Sequence, residues 1–388
     1  MALRVEERIV AGGEQGDAVV VHHLVLSGSN RSIGRHLGEL ARARYGAAPA
    51  AAGDPLRVRV QREWLRRNYP ALHERMRGVA EAFGVDQGDD AYDLSALHPS
   101  ASCCAMIFAP PRATAGGHPL VSRTFDGCAG RQGSLAGVPL LPATRPYVLE
   151  LHPDEGHATL AVTTDDLIGG AVDGVNAEGL HVSLAVDEEA RARGAEPTGT
   201  PGVGLDELQL VRFLLDVCAN AGEAREALLS AKHYYASAPA HYLVADRHGD
   251  AFAFEYGAGH NRERVVDAAG LPLVLTSHPV HEYAGDDALP REDGPGRTYA
   301  RYRALTHGLA ETPAPYDGDA LKRIAERAFL EPGAGRDPAR TIRTLWHGLY
   351  DLRARSLETS FFLRDEPDPA RPDGLRPVRT PYLEFALA

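Results

Sequence analysis

The strongest constraint on the fold is a change of rhythm near residue 103. Between Arg62 and Phe83 the apolar residues Leu65, Tyr69, Leu72, Met76, Val79 and Phe83 alternate spacings of four and three, the pattern of an amphipathic helix. Pro70 inside that stretch predicts a kink or a break into two helices. An early strand over 19–26 precedes it, with a helix beginning near Ile33. From residue 103 onward the chain reads instead as short strands separated by Gly and Pro. Ala105 to Ala109 and Pro119 to Phe125 form a hairpin around Gly116-Gly117. Val148 to Leu151, Thr159 to Thr163, Gly169 to Val175 and Leu180 to Val186 continue the pattern. Helices over Leu205 to Cys218 and Glu223 to Ser230 interrupt it. Strands resume at His241 to Ala245, Ala251 to Tyr256 and Pro272 to Thr276. A helix over Arg297 to Leu309 and strands near Thr344 to Tyr350 and Ser356 to Leu363 close the series. Helical blocks flanking strand blocks predict an α+β fold of two sheets between helical layers, α-β-β-α. The Pro/Asp/Arg-rich stretch Asp365 to Arg379 reads as a surface loop.

A net charge of −12 leaves no basic stripe for a nucleic-acid backbone. Arg62, Arg66 and Arg67 read as a solvated helix face. The first thirty residues do not read as a signal peptide, and no apolar run reaches the eighteen residues of a membrane span. Four cysteines in 388 residues do not make a disulfide framework. A cytoplasmic protein with reduced thiols is the expectation.

The sharpest local feature is Ser100-Ala101-Ser102-Cys103-Cys104-Ala105-Met106-Ile107-Phe108, where a small-residue loop enters a strand. Arg123 and Asp126 lie on the return strand, which a hairpin brings back beside Cys103. An arginine favours the thiolate of a neighbouring cysteine, and a carboxylate can hold an ammonium group by a charge-assisted hydrogen bond. Were Cys103 the first residue of a processed chain, its own α-amine could act as base.

These residues resemble the acyl-coenzyme A:penicillin-type acyltransferases, a branch of the cysteine N-terminal-nucleophile (Ntn) hydrolases that also holds the choloylglycine hydrolases and penicillin V acylases. The resemblance runs over roughly residues 20 to 360. Its N-terminal part is His23-Leu24-Val25-Leu26-Ser27-Gly28-Ser29 with Ile33-Gly34-Arg35-His36-Leu37-Gly38, followed by Tyr69-Pro70 to Gly84-Val85. Further on come Cys103 with Arg123-Thr124-Phe125-Asp126, then Gly174-Val175-Asn176-Ala177-Glu178-Gly179-Leu180. Thr276-Ser277-His278 approaches the family's Thr-Asn-His, and Thr344-Leu345 through Tyr350-Asp351 resembles the late strand.

The resemblance implies a four-layer Ntn sandwich, a nucleophile at Cys103 and self-cleavage between Ser102 and Cys103. The pieces would be an N-terminal segment 1–102 and a catalytic chain 103–388, folded together. Asp126 would orient the freed amine, Arg123 would favour the thiolate, and a backbone donor near Leu184 with Ser277 would hold the oxyanion. Arg340 or Arg343 would assist. The implied activity is hydrolysis of a linear amide, or transfer of its acyl group, without a cofactor. Coenzyme A could serve as acyl donor, although no nucleotide motif is present. The implied partner is a small amide or acyl thioester; the oligomeric form, a homo-oligomer included, stays open.

Two positions depart from the family pattern. Ser277 stands where relatives carry Asn, and loss of an oxyanion donor costs about 10²–10³ in rate in other enzymes. Ser102 stands where Gly is common before the nucleophile. Both keep a second reading in play, a silent relative that binds a small amide or a partner protein. Cys104 is the rival nucleophile, because strand alternation points Cys103 and Cys104 to opposite faces; the family alignment favours Cys103. Cys128 and Cys218 read as structural. Cys103, Cys104, Cys128 and His278 have the wrong spacing for a zinc site. Asn176 reads as a turn residue. Glu189 to Gly204 and Tyr283 to Gly296 are candidate pocket rims.

Overall fold

The computed structural model describes residues 2–95, 104–128, 133–135, 138–140, 145–163, 167–192, 202–236, 238–256, 263–283, 285–294, 296–331, 342–371 and 374–387. Cys103, Ser102 and Arg340 lie outside them.

Proline decides the N-terminal helices. The apolar periodicity runs on across Tyr69, but the helix ends at Asn68 and restarts, giving α2 (Pro55–Asn68) and α3 (Pro70–Phe83). Pro70 takes the first position of α3, where its missing N–H costs nothing. α1 (Asn30–Tyr45) crosses α3 so closely that a Cβ at Gly34 would meet the Arg75 carbonyl at 2.1 Å. Only glycine fits at such a backbone approach.

A nine-stranded sheet carries these helices. Its order is β1 (Arg4–Gly12), β2 (Val20–Gly28), β9 (Tyr147–Pro153), β10 (Thr159–Thr163), β11 (Asp173–Asn176), β12 (His181–Val186), β13 (Ala240–Ala245), β14 (Ala251–Tyr256) and β15 (Glu263–Asp267). Neighbours are antiparallel except β2 and β9, which run parallel. The helices α5 (Glu207–Val217) and α6 (Ala221–Ser230) lie on the same outer face. A capping box at Asp206 and Gln209 starts α5. A shorter helix, α4 (Glu188–Ala192), follows β12.

The second sheet runs β16 (Leu273–Leu275), β5 (Met106–Ala109), β6 (Leu120–Cys128), β17 (Ile342–Asp351), β18 (Ser356–Pro367) and β19 (Leu375–Arg379), with β20 (Leu383–Ala386) also on β18. α7 (Thr298–Glu311) and α8 (Gly318–Glu326) cover its outer face. There Ala105, Ile107, Ala109 and Leu349 pack with Leu305, Leu321 and Ile324 in a core of their own. The alternate residues Cys104, Met106 and Phe108 enter the main core between the sheets. Two short two-stranded sheets stand apart, β3 (Ala50–Ala51) with β4 (Tyr92–Asp93) and β7 (Gly133–Leu135) with β8 (Val138–Leu140). The order of layers is therefore α-β-β-α.

One expectation is corrected and one strand was not foreseen. Asp365 to Arg379 is not a loop throughout, since β18 continues to Pro367 and β19 pairs back along it. β1 escapes the sequence pattern because residues 4–9 are exposed on both faces and show no alternation.

Candidate active site

Strand β5 lies between β16 and β6, and its register builds the site. Leu275 pairs with Met106 on one side, and Met106 with Arg123 on the other. β16 ends at Leu275, two residues before Ser277. Ala105 is fixed against Thr124 by two bonds. Its N–H donates to Thr124 Oγ1 at 2.8 Å, and its carbonyl accepts from the Thr124 N–H at 2.9 Å. Alternation turns Cys104 and Arg123, on the side of Met106, towards the nine-stranded sheet. The buried Cys104 thiol donates to the Leu184 carbonyl at 3.3 Å, across the gap between the sheets.

The charges here are buried. Arg123, 1% exposed, forms an ion pair with Asp173 at 2.5 Å, and Asp173 accepts the Tyr350 hydroxyl at 2.7 Å. None of the guanidinium nitrogens makes an aligned hydrogen bond among the described residues. Burial pushes the Cys104 thiol up to about 11, against the pull of the Arg123 charge. His181, tilted against Tyr350 with ring centres 4.6 Å apart, is held down to about 3 by burial and then by Arg123. It is a neutral ring near pH 7.

Asp126 is fully buried and faces α7. Arg301 Nη2 donates to it at 2.6 Å, Thr344 Oγ1 at 2.6 Å and Thr124 Oγ1 at 3.3 Å. Arg301 also donates to Thr124 Oγ1 at 2.9 Å and to the Ala328 carbonyl at 2.8 Å. One arginine thus steadies both Asp126 and the hydroxyl that receives the Ala105 N–H.

Ser277 is 1% exposed, and its hydroxyl finds no hydrogen-bond partner among the described residues. Its carbonyl accepts the Glu188 N–H at 3.0 Å. The neighbours Thr276 and His278 turn the other way and meet Thr298 at 2.9 Å each. His278, packed among Tyr283, Tyr299 and Tyr302, is held down to about 3, chiefly by burial. It does not reach the thiol face.

Several expectations change at this point. The thiol in the field of Arg123 among the described residues is that of Cys104, which the sequence ranked second; Cys103 lies outside the described residues. Leu184 meets the thiol through its carbonyl, while its N–H donates to Val172 at 3.0 Å, so that amide is not a free oxyanion donor here. Arg343 is committed to Asp365 at 2.9 Å and to the Phe362 ring at 4.1 Å. Asn176 braces a turn, donating to the Leu215 and Cys218 carbonyls at 3.0 and 2.7 Å. The two candidate rims do meet, since Tyr283 donates to Glu189 at 2.7 Å. Among the described residues no cluster of three or more His, Cys, Asp or Glu is placed to hold a metal, and no helix is long and apolar enough to cross a membrane.

Asp173, Tyr350 and Arg301 were not singled out from sequence. For Arg301 a signal existed: it shares the buried face of α7 with Thr298, Leu305 and Gly308, and an arginine on such a face needs a buried partner.

The sequence model of the acyl-coenzyme A:6-aminopenicillanic acid acyl-transferase family matches residues 141–361. No curated protein is matched by the sequence. Among solved structures, penicillin V acylase from Agrobacterium tumefaciens is similar at 14% identity, covering 67% of this chain and 83% of its own, with a TM-score of 0.42. Two variants of conjugated bile acid hydrolase from Clostridium perfringens are similar at 13% and 14% identity. They cover 72% and 74% of this chain and 97% and 91% of their own, with TM-scores of 0.45 and 0.42.

Proposed function

The chain belongs to the acyl-coenzyme A:6-aminopenicillanic acid acyl-transferase family, and from that premise we propose that it is a self-processing cysteine amidohydrolase or acyltransferase whose nucleophile is Cys104. The observation that carries this reading is the buried Cys104 thiol at the Leu184 carbonyl in the field of the Arg123 guanidinium, itself paired with Asp173 between the sheets; the buried Ser277 hydroxyl, without a hydrogen-bond partner among the described residues, stands two residues beyond β16.

In the uncut chain the thiol is latent, since burial holds it protonated. Attack by Cys104 on the carbonyl of the preceding residue forms a C–S bond and breaks the C–N bond, with the proton passing to the departing amine. Water then breaks the thioester and leaves Cys104 with a free α-amine. That amine, with an ordinary pKa near 8, takes the thiol proton in turnover. Asp126, already steadied by Arg301 and Thr344, lies on the amine side and holds the ammonium form. Arg123 favours the thiolate electrostatically. The thiolate attacks a linear amide or acyl thioester, Ser277 donates to the oxyanion, and water or an amine resolves the acyl-enzyme. The chemistry calls on no cofactor.

Intact mass on the wild type, Cys103→Ala and Cys104→Ala tests the assignment. Fragments cut before Cys104, retained in Cys103→Ala and lost in Cys104→Ala, are expected. A cut before Cys103 that is lost in Cys103→Ala returns the nucleophile to the residue favoured by the sequence. Ser277 in place of Asn favours a second reading, a silent relative that binds a small amide or a partner, and a single uncut chain of 41.6 kDa in the wild type would select it.

A further inference from the structure

The first strand closes one edge of the nine-stranded sheet, and residues 4–9 are exposed on both faces. It carries two of the exposed large apolar side chains, Val5 at 40% and Ile9 at 61%. An open edge offers unpaired backbone donors and acceptors to another strand, and proteins usually blunt it with charge. Here the charges on one face of the strand, Arg4, Glu6 and Arg8, alternate in sign, which selects a partner.

We propose that β1 pairs with β1 of a second copy of this chain, antiparallel across a two-fold axis at Glu7. Such an interface is isologous, so every contact occurs twice. With Glu7 on the axis, Val5 faces Ile9 of the second copy on one side of the ribbon. On the other side Glu6 faces Arg8 of the second copy. Directly opposed residues share a face in an antiparallel pair, so both sets are in reach. Arg8 has no ion pair within its own chain among the described residues. Glu6 has only the exposed contact with Arg4, at 2.6 Å.

The two Glu7 side chains do not oppose this arrangement. Each is drawn back to its own α1 layer by Arg44 at 2.6 Å and His22 at 2.9 Å, and is 22% exposed. Neighbouring registers are worse. A slip of one residue in one direction sets Glu6 against Glu7 of the second copy. A slip in the other direction sets Glu7 against Arg8 but, like the first, opposes residues of opposite faces, which a two-fold axis excludes. A slip of two sets Glu6 against Glu6 and Arg4 against Arg8, which like-charge repulsion disfavours. The edge contact is small, so the dimer is weak and concentration-dependent.

Sedimentation equilibrium over a concentration series reaching the millimolar range tests the proposal on the full-length chain. The wild type should approach twice the 41.6 kDa chain mass. Glu6→Arg and Arg8→Glu should each remain monomeric, since each places two like-charged pairs across the axis. The double variant E6R/R8E should dimerise again, and an equimolar mixture of the two single variants should form a heterodimer. Melting curves superimposable on the wild type exclude unfolding as the cause, because both side chains are exposed. A wild type that is monomeric at every concentration overturns the proposal. So does a dimer that neither single variant weakens, or a double variant that stays monomeric.

Discussion

Two arginines lie buried beside aspartates on opposite sides of the nine-stranded sheet, and they are treated differently. Under the helices, Arg75 donates to Asn30 at 2.9 Å and to Asp216 at 2.7 Å, and the Tyr69 hydroxyl also donates to Asp216. Two of the three guanidinium nitrogens are in aligned bonds. Arg123 has its Asp173 ion pair between the sheets but no aligned hydrogen bond among the described residues, and the Ser277 hydroxyl has no partner among them. A buried polar group left short of partners costs about 1–3 kcal/mol. The first cluster spends its bonding capacity holding α1, α3 and α5 together. The second keeps capacity in hand, which is the arrangement expected where charge develops during a reaction.

The contrast can be broken in several ways. The largest effect is expected from Cys104→Ala, which should abolish turnover, a loss of about 10⁴-fold or more, while leaving the thermal midpoint near the wild-type value; retention of activity would detach the polar face from catalysis. Next, Arg75→Met should cost about 3–5 kcal/mol of stability by stranding the Asp216 charge. Denaturant titration measures it, and the kcat of the folded fraction should be unchanged. Ser277→Ala should lower kcat about 10–10²-fold with little change in stability, whereas Ser277→Asn should raise it. Steady-state kinetics with an amide substrate decides; equal rates in all three proteins would remove Ser277 from the oxyanion site.

The smallest effect is a pH response. In the uncut folded chain the Cys104 thiol is held up to about 11, against an ordinary value near 9. The folded state therefore binds more protons than the unfolded state between those values, so stability falls as pH rises through that window. Alkylation of the uncut chain should accelerate only near its upper end, whereas the cut protein should react near neutral pH.

The layers were legible because strands and helices alternate in blocks, and because Gly and Pro mark their ends. The edge strand β1 was hidden: an exposed strand leaves no apolar period. At the site, the return strand with Arg123 and Asp126 could be read from hairpin length alone. The choice between adjacent cysteines could not, since it depends on which way the strand faces, and that is set by pairing to β16 and β6. Asp173 and Tyr350 come from distant elements and meet between the sheets, while Arg301 reaches Asp126 from α7 on the other face; both meetings are properties of register.

The parallel ladder between β2 and β9, from His22 with Tyr147 to Gly28 with Pro153, changes the molecularity of folding. In the intact chain those strands find each other as parts of one molecule. If the chain cuts itself before Cys104 as proposed, they would belong to two polypeptides, and refolding after full denaturation would become a bimolecular association. Recovery of the native sheet then depends on concentration, and dilution alone would make unfolding irreversible.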